Sequence, residues 1–214
     1  MPEEDIRSDE AEDRPETEQK ENEDVILYDA PLFGKYNMAE VAVSDRGLAK
    51  YINLAPIYIP HTAGKHANKN FAKSRLNIVE RLANQMMRTE RYTGKKSKSL
   101  NVIEQAFDII HSKTGKNPVQ LLVSALEHAA PREEITRLQF GGISVPKAVD
   151  VSSSRRLDLA LRHVCTGAIA ASHGNTKPIA QCLADEIMLA SNGDMTSSAV
   201  SKRDEIERVA MSAR

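Results

Sequence analysis

The stretch Gly141–Val151, GGISVPKAVDV, decides the fold, because here a helical periodicity gives way to alternation. From Ile143 onward the odd-numbered positions Ile143, Val145, Val149 and Val151 are apolar, with Lys147 the exception. A period of two is how a strand presents one face. Gly141-Gly142 supplies a hairpin turn, and Glu133–Phe140 is its partner strand. Pro146 removes a ladder donor, so its strand must be an edge, as both strands of an isolated ribbon are. A lone hairpin is only marginally stable in water, so this one is expected to lean on a partner outside the sequence.

Working outward, the flanks read as helix. Upstream, Leu76, Val79, Leu82, Ala83 and Met86 form one apolar stripe of a helix that stops at Thr93-Gly94. Ser97 or Ser99 then caps a second helix, with Val102, Ile103, Ala106, Phe107 and Ile110 inward and Gly115 at its end. Asn117-Pro118 opens a third with Leu122, Ala125, Leu126 and Ala129 inward, closed by Pro131. Downstream, Ser152–Ser154 start a fourth, which buries Leu157, Leu161, Val164 and Ala168 and shows Arg155 and Arg162 on its outer face. Ile179, Leu183 and Ile187 mark a fifth between Pro178 and Gly193, and a sixth runs from about Ser198 with Lys202 and Arg203 in its first half. The expected fold is mainly α, a bundle of about six helices (residues 76–214) with a protruding two-stranded β-hairpin at about 133–151. No internal repeat is visible.

Residues 25–75 have a different character. VILYDAPLF, AEVAV and YINLAPIYIP are short apolar runs broken by Pro31, Gly34, Pro56 and Pro60, which predicts a loop-rich extension with one or two short strands. An arm follows, HTAGKHANKNFAKSR, with almost nothing to bury. Residues 1–24 carry twelve acidic and three basic side chains, too charged and too poor in apolar groups to order themselves, and are expected to be disordered.

The chain has 214 residues, 41% hydrophobic and 28% charged, and no apolar run approaches the roughly 18 residues of a membrane span. The acidic start lacks the basic-then-apolar order of a secretory signal. Cys165 and Cys182 form no CxxC and read as structural thiols, so the chain is expected to be intracellular and cytoplasmic, without a disulfide framework or a zinc site. The net charge of −1 hides an asymmetry: removing the tail leaves 18 acidic against 26 basic residues, a body of +8. Ten basic residues and only Glu80 and Glu90 as acids fall between Lys65 and Ser99. A concentrated basic surface favours a polyanion, since each neutralised phosphate releases counterions; a solvated lysine-rich face fits the charge equally well.

The densest part of that surface is Arg91–Ser99, RYTGKKSKS. It is not a nucleotide-binding P-loop: Thr89 stands where the first glycine belongs, Lys96 where the magnesium-binding hydroxyl belongs, and a helix rather than a strand precedes it. It reads as a helix corner with Lys95 and Lys96 exposed beside a helix N-terminus, which also attracts phosphate. His61 and His66 lie in a loop and His111, His128, His163 and His173 fall singly on helices, without metal-ligand spacing. Asp185 and Glu186, neighbours in a helix, point apart. No catalytic constellation, cofactor or small-molecule substrate is indicated. RNP, GXXG and C2H2 signatures are missing and aromatics make up 4%, which leaves shape and phosphate recognition of a folded RNA.

The chain resembles the universal small-subunit ribosomal protein seven family in its archaeal and eukaryotic form. The resemblance is carried by ERLANQMMRTERYTGKKSKSLNVIEQA (80–106), PHTAGKHANKNF (60–71), GKNPVQLLVSALEHAAPREEITR (115–137), AVDVSSSRRLDLALR (148–162), KPIAQCLADEI (177–187) and SKRDEIERVAMSAR (201–214). It covers nearly everything from about residue 25 onward. It implies a helical bundle with a protruding hairpin and a role without a reaction: binding the 3′ major (head) domain of small-subunit rRNA early in head assembly, beside exit-site tRNA and mRNA and neighbouring ribosomal proteins. It further implies that Lys95, Lys96 and Lys98 grip RNA at the corner, and Lys65, His66, Lys69, Lys73 and Arg75 along the arm. Arg155 and Arg156, with Arg162, Lys202 and Arg203, complete the expected rRNA-binding set. The hairpin, with Arg132, Arg137 and Lys147 as its bases and Gly141-Gly142 at its tip, is expected on the exit-site side. So few bases there point to contact by shape or with a protein neighbour. The competing class is a basic helical protein-interaction scaffold not specific for RNA.

Overall fold

The structure, a computed structural model, describes residues 30–89 and 92–214. The acidic segment 1–24 lies outside the described residues, as do the start of the VILYDAPLF run and Glu90 and Arg91. The described residues form α1 (Arg46–Ala49), two 3-10 turns (Lys65–Asn68 and Ala72–Arg75), α2 (Ile78–Met86), α3 (Lys96–Thr114), α4 (Pro118–Ala129), β1 (Glu133–Phe140), β2 (Ile143–Asp150), α5 (Ser153–Ser172), α6 (Ile179–Ser191) and α7 (Ser198–Ser212). The six helices expected from periodicity are α2 to α7, and among the described residues no helix is long and apolar enough to cross a membrane.

The chain's N-terminal preface differs from expectation. Among its described residues it makes, instead of strands, isolated bridges, Leu32 with Tyr36 and Asn53 with Asn77, and the short helix α1, whose cap Asp45 accepts from the Gly47 N–H at 2.8 Å. The apolar residues Leu32, Tyr36, Met38, Leu48 and Ile52 enter the bundle core one at a time, so no ladder is needed to bury them. Side chains of the bundle satisfy the backbone of this preface: Gln120 brackets Ala42, and Glu127 accepts from the N–H groups of Ser44 and Asp45.

Helix ends follow their caps. Asn77 accepts from the Val79 N–H to start α2, and Asn117 accepts from Val119 with Pro118 in the first turn of α4. Two boundaries depart from expectation. Helix α2 ends at Met86, where its apolar stripe ends, rather than at Thr93-Gly94. Helix α3 opens at Lys96 with no side-chain cap, because the Ser99 hydroxyl is buried and turned to the Lys95 carbonyl.

Helix α6 is the centre of the bundle, packed against α3, α4 and α5, while α2 closes one side on α3 and α5, and α7 lies across α4, α5 and β1. Phe107, Leu82, Ile103, Leu122, Leu126, Leu157 and Leu183 are fully buried, each worth on the order of 2 kcal/mol of transfer free energy. Gly167 lets α5 approach α7 closely: a Cβ there would lie 2.8 Å from Ser198 Cβ and 3.1 Å from Glu186 Oε1. That Glu186 carboxylate, nearly buried, accepts from the Ser197 hydroxyl and the Ala199 N–H and so fixes the start of α7.

The hairpin register runs from Glu133 opposite Asp150 to Phe140 opposite Ile143, with Gly141 (φ 54°) and Gly142 (φ 89°) providing the two positive-φ positions of a two-residue turn. Its base is braced within the chain, contrary to the expectation of a partner outside the sequence. It is braced by α7 and the residues after it: the Arg132 N–H donates to Glu207, Ala148 N–H to the Ala213 carbonyl, Arg214 pairs with Glu133, and Ile135 lies beside Ile206 and Val209. On the other side Arg155 of α5 holds Glu134 with two bonds of 2.6 and 2.7 Å. Farther out, Leu138, Ile143 and Val145 are exposed on one face.

Candidate nucleic-acid interface

The corner and the arm meet at one buried carboxylate. Glu80, in the first turn of α2, is fully buried; its Oε1 accepts from the Thr62 N–H (3.0 Å), the Thr62 hydroxyl (2.9 Å) and Lys96 Nζ. Burial pushes this carboxyl up, and the bonds from Lys96 and Thr62 more than reverse it, holding it below the usual carboxylate range. One acid thus fastens the start of the arm to the start of α3. Lys96 is therefore not the exposed phosphate ligand expected at the corner: its side chain is only 16% exposed and is committed to Glu80. Lys95 and Lys98 are exposed, with Lys98 Nζ 5.5 Å from the centre of the Tyr92 ring, and Gly94 (φ 71°) makes the turn between them. Arg91 lies outside the described residues.

Along the arm Lys65, Lys69, Lys73 and Arg75 are at the surface, and Lys65, His66, Lys69 and Arg75 line a groove of about 530 Å³. Lys65, Lys69 and Arg75 have no ion pair among the described residues. Lys73 does: it meets Asp158 of α5, which also takes a 2.7 Å bond from the buried Arg81, and so ties the arm to the bundle. His66 Nδ1 is buried without a partner.

The expected arginine pair splits. Arg155 is exposed but spans to Glu134, whereas Arg156 is 12% exposed and bonded at 2.9 Å to Asp45, the cap of α1. The Asp45 carboxyl is pushed up by burial and brought below its usual range by the Gly47 N–H and Arg156. Arg162 stands exposed on the same helix as Arg155. In α7, Lys202 pairs with Glu205 at 2.7 Å, and Arg203 bonds Asp204 and the His128 carbonyl. On the hairpin, Arg132, Arg137 and Lys147 are exposed; Arg137 sits opposite Pro146 and Lys147 opposite Thr136, so the two charges occupy opposite faces.

Sequence reasoning missed a second basic recess. Arg88, Tyr92, His173 and Lys177 line a cavity of about 630 Å³ between the end of α2 and the loop joining α5 to α6, and neither Arg88 nor Lys177 has an ion pair among the described residues. Only the fold brings these single residues together. The cysteines and the Asp185-Glu186 pair serve the fold. Cys165 and Cys182 are buried, and burial raises the Cys165 thiol far above its ordinary value. Asp185 pairs with Lys113 while Glu186 points the other way, to α7.

Residues 48–214 match the family described as ribosomal protein S7p/S5e. The chain is 53% identical over 186 residues to the small ribosomal subunit protein uS7 of Picrophilus torridus, covering 87% of this chain and all of that protein. It is 55% identical over 183 residues to that of Archaeoglobus fulgidus (86% and 94% covered) and 53% over 184 residues to that of Methanococcus aeolicus (86% and 98%). The chain therefore belongs to the ribosomal protein S7p/S5e family, structural and non-enzymatic constituents of the small ribosomal subunit.

Proposed function

We infer that the chain binds the 3′ major (head) domain of small-subunit rRNA, nucleates head assembly, and holds its hairpin on the side of exit-site tRNA and mRNA. The observation that carries this reading is the Glu80 junction, which joins the arm and the helix corner into one surface. Lys65, Lys69 and Arg75 of the arm and Lys95 and Lys98 of the corner are exposed on those two limbs. The arm has little apolar surface with which to orient itself, so the buried acid it shares with the start of α3 is what lets a rigid polyanion meet both limbs at once. Lys73, Lys96, Arg155, Arg156, Lys202 and Arg203, each paired with an acid, shape the surface and give RNA less free charge than their number suggests. The exposed Leu138, Ile143 and Val145 favour a neighbouring small-subunit protein against that face of the hairpin.

The test is binding of the full chain to a transcript of the small-subunit rRNA head domain, titrated over salt against a generic duplex of equal length. With six to eight side chains on phosphate, log affinity falls with log salt at a slope of about −5 to −7, and the head transcript is preferred. Equal binding to both RNAs reduces the reading to a basic surface, and no binding returns it to a protein scaffold.

A further inference from the structure

Phe71 is 79% exposed, the most exposed large apolar side chain among the described residues. It joins the two 3-10 turns of the arm, between Lys69 and Lys73, with Lys65 and Arg75 farther along the same segment. Its backbone is left-handed (φ 59°, ψ 3°), a conformation that a bulky residue rarely adopts. The conformation is held: the Phe71 carbonyl accepts from the Ser74 N–H at 3.1 Å and the Ser74 hydroxyl at 2.8 Å. The ring takes no part in the core or in any ring contact among the described residues. A constrained turn that leaves a phenyl ring in water, amid cations, is costly unless the ring has a partner elsewhere, and backbone constraints of this kind gather at binding sites.

Resting on the rRNA reading above, we propose that Phe71 is a stacking platform for one unpaired rRNA base, with Lys69 and Arg75 on the flanking phosphates. The chemistry selects a nucleobase over an apolar protein groove or a lipid surface. A flat π-face next to unpaired cations is the combination with which single-stranded nucleic acid is bound, face to base and cation to backbone. The low aromatic content argues against a sheet of stacked bases, not against one ring at one point.

The chain contains no tryptophan, so Phe71→Trp introduces a single indole at the site. With Phe71→Trp, head-domain binding stays within about twofold of wild type and the indole emission is quenched on binding, as stacking on a base requires. With Phe71→Ala, affinity falls about fivefold or more, the loss expected for one stacked base. The salt slope remains unchanged, because no charge is removed. Circular dichroism melts of both variants match wild type, since the ring is outside the core. Unquenched emission together with unchanged Phe71→Ala affinity overturns the proposal while leaving the rRNA reading intact. A blue-shifted, unquenched indole in assembled subunits but not on naked RNA assigns the ring to a protein neighbour instead and also overturns it. Failure of wild type to prefer the head transcript is the separate failure of the rRNA reading.

Discussion

Lys96→Ala removes the cation from a carboxylate with no exposed surface, so its main effect falls on folding rather than on RNA. Losing one partner of a buried ion pair costs about 3–5 kcal/mol. Glu80 retains two bonds from Thr62 and can take up a proton, which brings the expected loss at neutral pH to roughly 2–3 kcal/mol. The pH dependence carries the signature. In the wild type the folded carboxyl lies below its ordinary 4.5, so its contribution is full above that value and is lost as pH falls through the folded one. Without Lys96 only the two Thr62 bonds oppose burial, so the folded carboxyl moves up from its wild-type position and the variant has less stability to gain from ionising Glu80 as pH rises. The gap between the two proteins is therefore widest near pH 7 and closes toward pH 4. Urea unfolding followed by far-ultraviolet circular dichroism at several pH values measures it, with Lys69→Ala as a surface control expected within about 0.5 kcal/mol of wild type. Glu80→Gln combined with Lys96→Ala recovers part of the loss. A Lys96→Ala penalty below about 0.5 kcal/mol at pH 7, or one that is flat with pH, would refute the assignment of this pair as a buried junction.

Gly167→Ala places a methyl 2.8 Å from Ser198 Cβ and against the Glu186 cap, and is expected to cost about 1–3 kcal/mol, read as a melting temperature lowered by roughly 3–10 °C. Arg155→Ala breaks a pair that is more than half exposed on the arginine side, so global stability changes by no more than about 1 kcal/mol. Backbone amide exchange at Glu134–Arg137 nevertheless accelerates, and unchanged exchange there removes Arg155 as a brace. Deleting residues 1–24, with their net charge of −9, raises affinity for a generic duplex at low salt if that segment shields the basic body, and the difference vanishes at high salt. Identical binding at low salt leaves the segment without that role.

Helices α2 to α7 were legible because each buries one face over several turns and burial imprints a period, whereas the hairpin was legible from its Gly141-Gly142 turn and its alternation, although Ile143, Val145 and Val149 stay exposed. Helix α1 was not, since four residues of RGLA are too short for a period and only its Asp45 cap marks it. The hairpin's brace was hidden for another reason: Glu207 and Arg214 act on Arg132 and Glu133 across 75 and 81 positions, and no local pattern records such a pairing. Composition marked the basic limbs but could not sort their charges. Lys95 and Lys96 are alike in sequence, yet Lys96 is withdrawn because an acid 16 positions earlier is aimed at it. The Arg88 and Lys177 recess left no motif for the same reason.

The ribbon beyond its brace behaves mechanically as a lever. Eight residues per strand give a reach of about 26 Å, and a pivot at Glu133 and Glu134 means that each 10° of rocking sweeps the glycine tip through roughly 4–5 Å. That sweep exceeds the length of a hydrogen bond, so a loose pivot would forfeit any defined contact at the far end. Two opposed arginine–glutamate struts, one from each side of adjacent residues, are the smallest arrangement that resists rocking in both senses. The accuracy with which the tip is aimed is thus set at the opposite end of the ribbon, by side chains that never approach whatever the tip touches.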